Sequence, residues 1–283
     1  MNITNAKKAE ILIEALPYIK NYAGQTVVIK YGGSAMTDES LKKTVIKDIV
    51  LLRQIGVKTV VVHGGGPEIS ATLNKMGVQT KFVNGLRVTD EESVSVVQMV
   101  LAGKINKDLV ALFGSMDAKA IGLCGIDGKM IEAERLNEEL GYVGDVKKVD
   151  PKPIEDALND GYIPVIAPVA VGNDGKVYNI NADTAAARIA GALRAKAFIN
   201  MTDEKGILKD KNDENSLIRE VSASEAGELI SEGIVSGGMM PKVRCCIDAI
   251  RRGVEKVFII DGREPHSLLI EVLSDEGIGT MFY

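Results

Sequence analysis

Lys58-Thr59-Val60-Val61-Val62-His63-Gly64-Gly65-Gly66-Pro67 joins a strand, a turn and the start of a helix. The β-branched run reads as a strand, the glycines break it, and Pro67 suits a first helical turn, where its missing N–H costs nothing. The same order occurs upstream. Thr26 to Tyr31 reads as a buried strand ending in Gly32-Gly33, and a helix from about Asp38 to Ile55 follows, with Leu41, Val45, Ile49 and Leu52 on one face. Short β-branched runs alternating with longer helical patterns are the signature of a parallel sheet covered by helices. The expected class is α/β. Both glycine turns lie at carboxyl ends of strands, where open sheets of this kind bind ligands, so they are expected to face one cleft.

Further along, Thr89-Asp90-Glu91-Glu92 reads as a capping box opening a helix towards Phe113, and Ser222-Ala223-Ser224-Glu225 as another. Ala118 to Val149 carries strand-like runs broken by Gly125-Ile126-Asp127-Gly128 and Gly141, which predicts a β-rich excursion. Tyr162 to Val169 then reads as a strand after a helical Ile154 to Asn159, and Ala195 to Met201 and Lys256 to Ile260 as later strands. A loose boundary is expected near Asn179. No short-period repeat or low-complexity linker occurs, so two halves should pack closely.

Composition removes several classes. The 283 residues are 46% hydrophobic and 26% charged, which fits one large or two modest domains sharing a core. A formal net charge of -5, with basic residues spread along the chain, lacks the footprint of a nucleic-acid binder. Met1 to Lys20 places Ile11, Leu12, Ala15, Leu16 and Ile19 at helical spacing and has neither the apolar core nor the cleavage site of a signal peptide. No apolar run approaches the roughly 18 residues that span a bilayer, so a soluble cytoplasmic protein without a membrane partner is expected. Cys124, Cys245 and Cys246 are too few and too poorly spaced for a disulfide framework or a zinc site, and the adjacent pair reads as packed thiols rather than a redox switch. Met99, Met116, Met130, Met239 and Met240 read as core filler.

Lys30-Tyr31-Gly32-Gly33 offers backbone N–H groups that can approach a phosphate, with a lysine able to reach the same oxygens; a tight turn with a solvated lysine is the equal alternative. His63-Gly64-Gly65-Gly66 adds oriented donors at a helix start. His63 is open to two readings, a base or a packed and hydrogen-bonded strand residue, and its place in an apolar run favours the second. Arg87, in Asn84-Gly85-Leu86-Arg87-Val88-Thr89, offers a fork for a carboxylate, with a surface ion pair as the plain alternative. There is no G-x-x-x-x-G-K-[ST], no G-x-G-x-x-G and no H-R-D or D-F-G set, so familiar nucleotide folds match poorly.

These segments, with Asn179-Ile180-Asn181-Ala182-Asp183 and Gly237-Gly238-Met239-Met240-Pro241-Lys242, appear in the order found in the amino-acid kinase family, and the chain resembles that family over nearly its whole length. The resemblance is to the branch that phosphorylates N-acetyl-L-glutamate. It implies a three-layer sandwich with a central, mainly parallel sheet between helices. Residues 1–178 would form the half that binds the acyl amino acid and dimerises, led by a helix in 1–22, and residues 179–283 the ATP-binding half. The implied reaction moves the γ-phosphoryl group of ATP onto the γ-carboxylate of N-acetyl-L-glutamate, in arginine biosynthesis. A carboxylate is ionised at neutral pH, so no general base is required, and the difficulty lies in bringing two anions together.

Residue by residue, Lys30 and Lys242 match the two lysines that stabilise the phosphoryl group, and Asp183 the aspartate that holds them. Gly32, Gly33, Gly65 and Gly66 match the backbone donors to phosphoryl group and substrate. Arg87 and Asn179 match the residues on the substrate's α-carboxylate. Asp203, Gly206, Ile207 and Leu208, with Ile234, Val235 and Ser236, correspond to segments lining the nucleotide, although Glu204-Lys205 departs from the usual Val-x before the glycine. No residue cluster has metal-ligand spacing, so Mg²⁺ is expected to arrive on ATP.

Both ends resemble the arginine-inhibited enzymes of that branch. Ala9 to Tyr18, an amphipathic helix interrupted at Pro17, resembles the extra helix that links dimers into a hexamer, a trimer of dimers; a helix packed on its own subunit is the plain alternative. Glu271 to Met281 resembles the tail of that class, which places L-arginine near His266, Glu271 and Gly277. The rivals are a kinase of the same group acting on aspartate, glutamate, carbamate or UMP, and a catalytically silent sensor. Arg87 in its motif argues against the first, and retention of Lys30, Lys242 and Asp183 together against the second.

Overall fold

The computed structural model describes residues 4–275 and 277–283, without the side chain of Ser34. Met1, Asn2 and Ile3 of the leading segment and Glu276 of the tail therefore lie outside the described residues. The chain opens with α1 (Asn5–Glu14) and α2 (Leu16–Tyr22) and enters the sheet by β1 (Thr26–Tyr31). α3 (Glu39–Gln54), β2 (Lys58–His63) and α4 (Gly66–Lys75) follow. A hairpin of β3 (Phe82–Val83) and β4 (Leu86–Arg87) leads to α5 (Glu91–Gln98), a π-helical segment Met99–Ile105, and α6 (Asn106–Gly114). The middle holds β5 (Ala120–Cys124), β6 (Ile131–Arg135), β7 (Gly144–Val149), α7 (Lys152–Asn159), β8 (Ile163–Ala167), β9 (Val169–Gly172) and β10 (Val177–Asn179). α8 (Ala182–Ala192), β11 (Ala197–Thr202), β12 (Glu220–Val221), α9 (Ala223–Ser231), α10 (Met239–Arg251), β13 (Lys256–Asp261), α11 (Ser267–Leu273) and β14 (Thr280–Phe282) complete the chain.

The main sheet has the order β12-β14-β13-β11-β1-β2-β8-β5 and is parallel from β13 through to β5. Only β14 and its partner β12 run the other way. The chain builds outward from β1 to β2 and later returns to its other side with β11, so order reverses beside β1, the place where such sheets open a ligand crevice. Alternation along β1 explains the layers. Val27, Ile29 and Tyr31 enter the core under α3 and α6, whereas Val28 enters the core under α8 and α10. Both faces are covered, and each fully buried aliphatic side chain contributes about 1.5–3 kcal/mol. The three-layer, mainly parallel architecture expected from the motifs is present. α8 is rich in alanine, with Ala185, Ala186 and Ala190 wholly buried. Small side chains let it lie close on β1 and β2, which brings its first turn, with Asp183, to the carboxyl edge of the sheet.

Several boundaries differ from expectation, each for a local reason. The cap of α5 is Asp90, whose Oδ1 accepts from Ser93 N at 2.8 Å, while Thr89 is buried and bridges Gly141. The helix expected to continue to Phe113 is interrupted by the π segment, which changes the facing of its side chains. Tyr162 to Val169 is two strands, since Pro168 intervenes between β8 in the main sheet and β9 in a small sheet of order β10-β9-β6-β7. The excursion starts later than expected, because β5 is the edge strand of the main sheet. The leading helix breaks at Ala15, with Pro17 in the first turn of α2. Met99 is exposed and is not core filler. The capping box at Ser222 and Glu225 is present as read.

Candidate active site

A cavity of ≈ 980 Å³ opens at the carboxyl ends of the central strands, and Lys30, Gly32, Gly33, Gly65, Gly66, Arg87, Asn179 and Asp183 all lie on its wall. Residues from both sides of the expected boundary thus share one site. Lys30 and Asp183 on that wall belong to a clamp whose third member, Lys242, is not among the residues lining the cavity. Lys30, near the end of β1, sets Nζ 3.0 Å from Asp183 Oδ1 and donates to the Met201 carbonyl at 3.3 Å. Lys242, in the first turn of α10, brings Nζ to 3.4 Å from Asp183 Oδ2. One buried carboxylate therefore holds two ammonium groups side by side. Burial alone would push the Asp183 carboxyl up, but Lys30 and Lys242 outweigh it and hold the pKa down at about 2.

The second element is the turn after β2. α4 starts at Gly66 with Gly65 as its N-cap and no side-chain cap, so its first N–H groups have no intrahelical partner and the helix dipole adds positive potential there. Gly65 is closely covered: an added Cβ would lie 2.5 Å from Ile105 Cδ1 and 2.6 Å from Leu101 Cδ2, so those side-chain ends would have to shift. Those two side chains come from the π segment, which packs them against the turn.

Arg87 is the third element. It is not a surface ion pair, since it is only 7% exposed. Nη2 donates to Gly66 O at 2.9 Å and to Ser70 Oγ at 2.7 Å, and the guanidinium stands 4.8 Å over the Phe82 ring. Nη1 is buried with no hydrogen-bond partner. A guanidinium fixed by one nitrogen, with the other left without a partner beside a cavity, has donor capacity that an anionic oxygen would satisfy. Asn179 joins it through Thr89, whose Oγ1 receives Asn179 Nδ2 at 3.3 Å and donates to the Arg87 carbonyl at 3.2 Å.

The other expected residues are placed less simply. His63 is fully buried and hydrogen-bonded, the second of its two readings. Asp203 comes up beside Gly33, where an added Cβ would lie 2.5 Å from its Oδ1. Ile207 and Val235 are 2% exposed and belong to the core, so in the segments expected to line the nucleotide they do not present side chains to a ligand. Gly206, Leu208, Ile234 and Ser236 are not among the residues lining the cavity. Lys211, beyond the end of the first segment, reaches Ser236 Oγ with its Nζ at 2.6 Å. At the tail, His266 Nδ1 lies 2.7 Å from Asp48 Oδ1, Glu271 Oε2 accepts from Ile278 N at 2.9 Å and Gly279 N at 3.1 Å, and the Gly277 carbonyl accepts from Arg219 Nη1 at 2.6 Å. Ser70, which anchors Arg87, escaped notice in the sequence because a lone hydroxyl carries no spacing signal, and Thr89, which joins Arg87 to Asn179, reads there as a helix cap.

No group of three or more His, Cys, Asp and Glu side chains among the described residues could hold a metal ion, and no helix among them is long and apolar enough to cross a membrane. Residues 25–261 match the model of the amino acid kinase family. The chain is 56% identical over 284 residues to the acetylglutamate kinase of Brachyspira hyodysenteriae, covering 100% of this chain and 99% of that protein. It is 54% identical over 276 residues to the acetylglutamate kinase of Caldanaerobacter subterraneus subsp. tengcongensis, covering 97% and 92%. Among solved structures it is similar to N-acetylglutamate synthase from Neisseria gonorrhoeae, complexed with coenzyme A and N-acetyl-glutamate, with a TM-score of 0.85 and 26% identity; the match covers 97% of this chain and 63% of the synthase's length. On similarity of this extent, the chain belongs to the amino acid kinase family, in its acetylglutamate kinase branch.

Proposed function

We propose that the protein transfers the γ-phosphoryl group of ATP to the γ-carboxylate of N-acetyl-L-glutamate, giving N-acetyl-L-glutamyl 5-phosphate and ADP, in the cytoplasm as a step of arginine biosynthesis. The observation that carries this reading is Arg87, whose side chain, with Nη1 left unpartnered, lines the same cavity as Lys30 and Asp183 of the lysine clamp. Arg87 and Asn179 grip the α-carboxylate, which leaves the γ-carboxylate to point at the phosphoryl group. One γ-carboxylate oxygen attacks phosphorus, and the bond to the bridging oxygen of ADP breaks. No proton moves. The N–H groups of Gly32, Gly33, Gly65 and Gly66 and the ammonium groups of Lys30 and Lys242 take up the charge on the equatorial oxygens. Mg²⁺ would arrive on ATP and lend positive charge there, since both Asp183 oxygens already face lysines. Asp203 to Leu208 and Ile234 to Ser236 receive the nucleotide, so residues 1–178 serve the acyl amino acid and residues 179–283 serve ATP, apart from Asn179 at the boundary, which faces the acyl amino acid. The test is ADP release from Mg-ATP with N-acetylglutamate, compared with glutamate, aspartate, carbamate and UMP; equal turnover of free glutamate overturns the substrate.

The same reading extends to regulation and assembly. α1 has no buried residue, and Leu12, Ile13 and Leu16 are 72%, 69% and 59% exposed, which supports a helix that packs on another subunit in a hexamer of three dimers. L-arginine binds beside His266, Glu271 and Gly277, with Glu271 on its guanidinium. Millimolar arginine should depress the rate at subsaturating N-acetylglutamate, and deletion of residues 1–22 should reduce the hexamer to dimers by light scattering. An unchanged rate removes the effector site, and an unchanged size removes the role of the helix.

A further inference from the structure

His63 is the last residue of β2, and Gly64 after it begins the turn that carries Gly65 and Gly66. The imidazole Nδ1 lies 2.9 Å from the Gly64 carbonyl oxygen, and Nε2 lies 3.3 Å from Asn106 Nδ2. A carbonyl oxygen only accepts, so Nδ1 carries the proton. The Asn106 amide is oriented as firmly: Nδ2 also faces Leu123 O at 3.3 Å and Val165 O at 2.8 Å, and Oδ1 receives Lys107 Nζ at 3.0 Å. The two N–H of Nδ2 are shared among Val165 O, Leu123 O and Nε2, and because Nδ2 can only donate, a proton on Nε2 would find no acceptor there. Burial holds the His63 pKa down to about 4, with Lys107 acting in the same direction, so the ring stays neutral at pH 7.

The seat of Asn106 is itself shaped for it. Gly122 of β5 faces the amide, and an added Cβ would overlap Asn106 Oδ1 and lie 2.5 Å from Lys107 Nζ. The turn is tied at three points: Gly64 N–H donates to Tyr31 O at 2.8 Å, the Gly64 carbonyl receives His63, and the Gly66 carbonyl receives Arg87. We infer that His63, locked by Asn106 in its Nδ1–H tautomer, is a positioning residue that holds the Gly64-Gly65-Gly66 turn in the geometry required by the transferring phosphoryl group. This rests on the phosphoryl-transfer reading of the cavity. It also excludes His63 as a base.

His63→Leu removes the bond to Gly64, Gly122→Ala displaces Asn106 without touching the cavity wall, and His63→Asn returns an N–H at the place of Nδ1. Both disruptive variants should lower kcat about 10–100-fold, because small misplacements of reacting groups cost that much. KM for N-acetylglutamate should stay within about 3-fold, since Arg87 is kept, and His63→Asn should recover most of the rate. Thermal melting shows that each assay is run on folded protein; a residue that served stability alone would lower Tm and leave kcat intact. The chain has two histidines, so ¹⁵N-histidine spectra of His266→Gln report His63 alone. The expected spectrum is that of a neutral Nδ1–H ring, unchanged between pH 6 and 9. A folded His63→Leu with kcat within about 3-fold of wild type overturns the inference, as does an Nε2–H or doubly protonated ring. A wild type that fails to phosphorylate N-acetylglutamate overturns the proposed reaction instead, and the spectrum still decides the tautomer.

Discussion

Lys242→Ala is expected to lower kcat about 10³-fold, equivalent to about 4 kcal/mol of transition-state stabilisation, with KM for N-acetylglutamate little changed. The ammonium is set by α10 against Asp183, at 3.4 Å, whereas the guanidinium of Arg87 is anchored on Gly66 and Ser70. The Lys242 charge matters while negative charge spreads over the transferring oxygens, and less before. Initial-rate kinetics with both substrates varied measure this; a loss confined to KM would remove Lys242 from the chemistry. Lys30→Ala is the less informative variant, because Lys30 is 6% exposed and its removal also strips a buried carboxylate of its nearer partner. The clamp has a pH signature too. Asp183 titrates in the folded protein at about 2, below the ordinary carboxylate value, so the clamp's contribution to stability is present above about pH 4 and is lost as pH falls towards 2. The acid limb of the rate above pH 5 should accordingly owe nothing to Asp183.

Arg87→Ala should raise KM for N-acetylglutamate about 10²-fold while kcat at saturation falls far less, since one charge-assisted bond to a buried carboxylate contributes about 1.5–3 kcal/mol and the fork offers more than one. The guanidinium also holds the Gly66 carbonyl and stacks on Phe82, so alanine removes a support of the turn as well as a ligand. Arg87→Lys separates the two effects: a lysine keeps the charge but cannot reach Gly66, Ser70 and a carboxylate at once. Its KM should remain at least about 10-fold above wild type. If Arg87→Ala altered only the KM for ATP, the substrate would sit at the other end of the cavity.

Much of the architecture was readable because its signals are local. β1 and β2 occur at the boundaries read from their β-branched runs, since burial on both faces leaves little room for other residues. The Ser222 cap is equally local, a side chain bonding to backbone three residues away. Where reading failed, distance in sequence was the cause. Thr89 looked like a cap, but its backbone was claimed by Gly141. The apolar run Tyr162 to Val169 looked like one strand, but partners far away drew its two ends into different sheets.

The site divides in the same way. Gly32, Gly33, Gly65 and Gly66 announced themselves by composition, and Lys30 and Arg87 by standing near them, because the absence of a side chain and the presence of a charge are properties of single residues. That Asp183 grips Lys30 and Lys242 together, that Arg87 spends Nη2 on the protein and keeps Nη1 free, and that Asn106 reaches across from α6 to hold His63 were decided by packing alone. The sequence by itself determined which chemical groups the protein owns and the strands that end in them. Only the tertiary structure decided which groups meet, because a hydrogen bond or an ion pair depends on separations of about 3 Å that are set by sheet order and helix docking, not by neighbours along the chain.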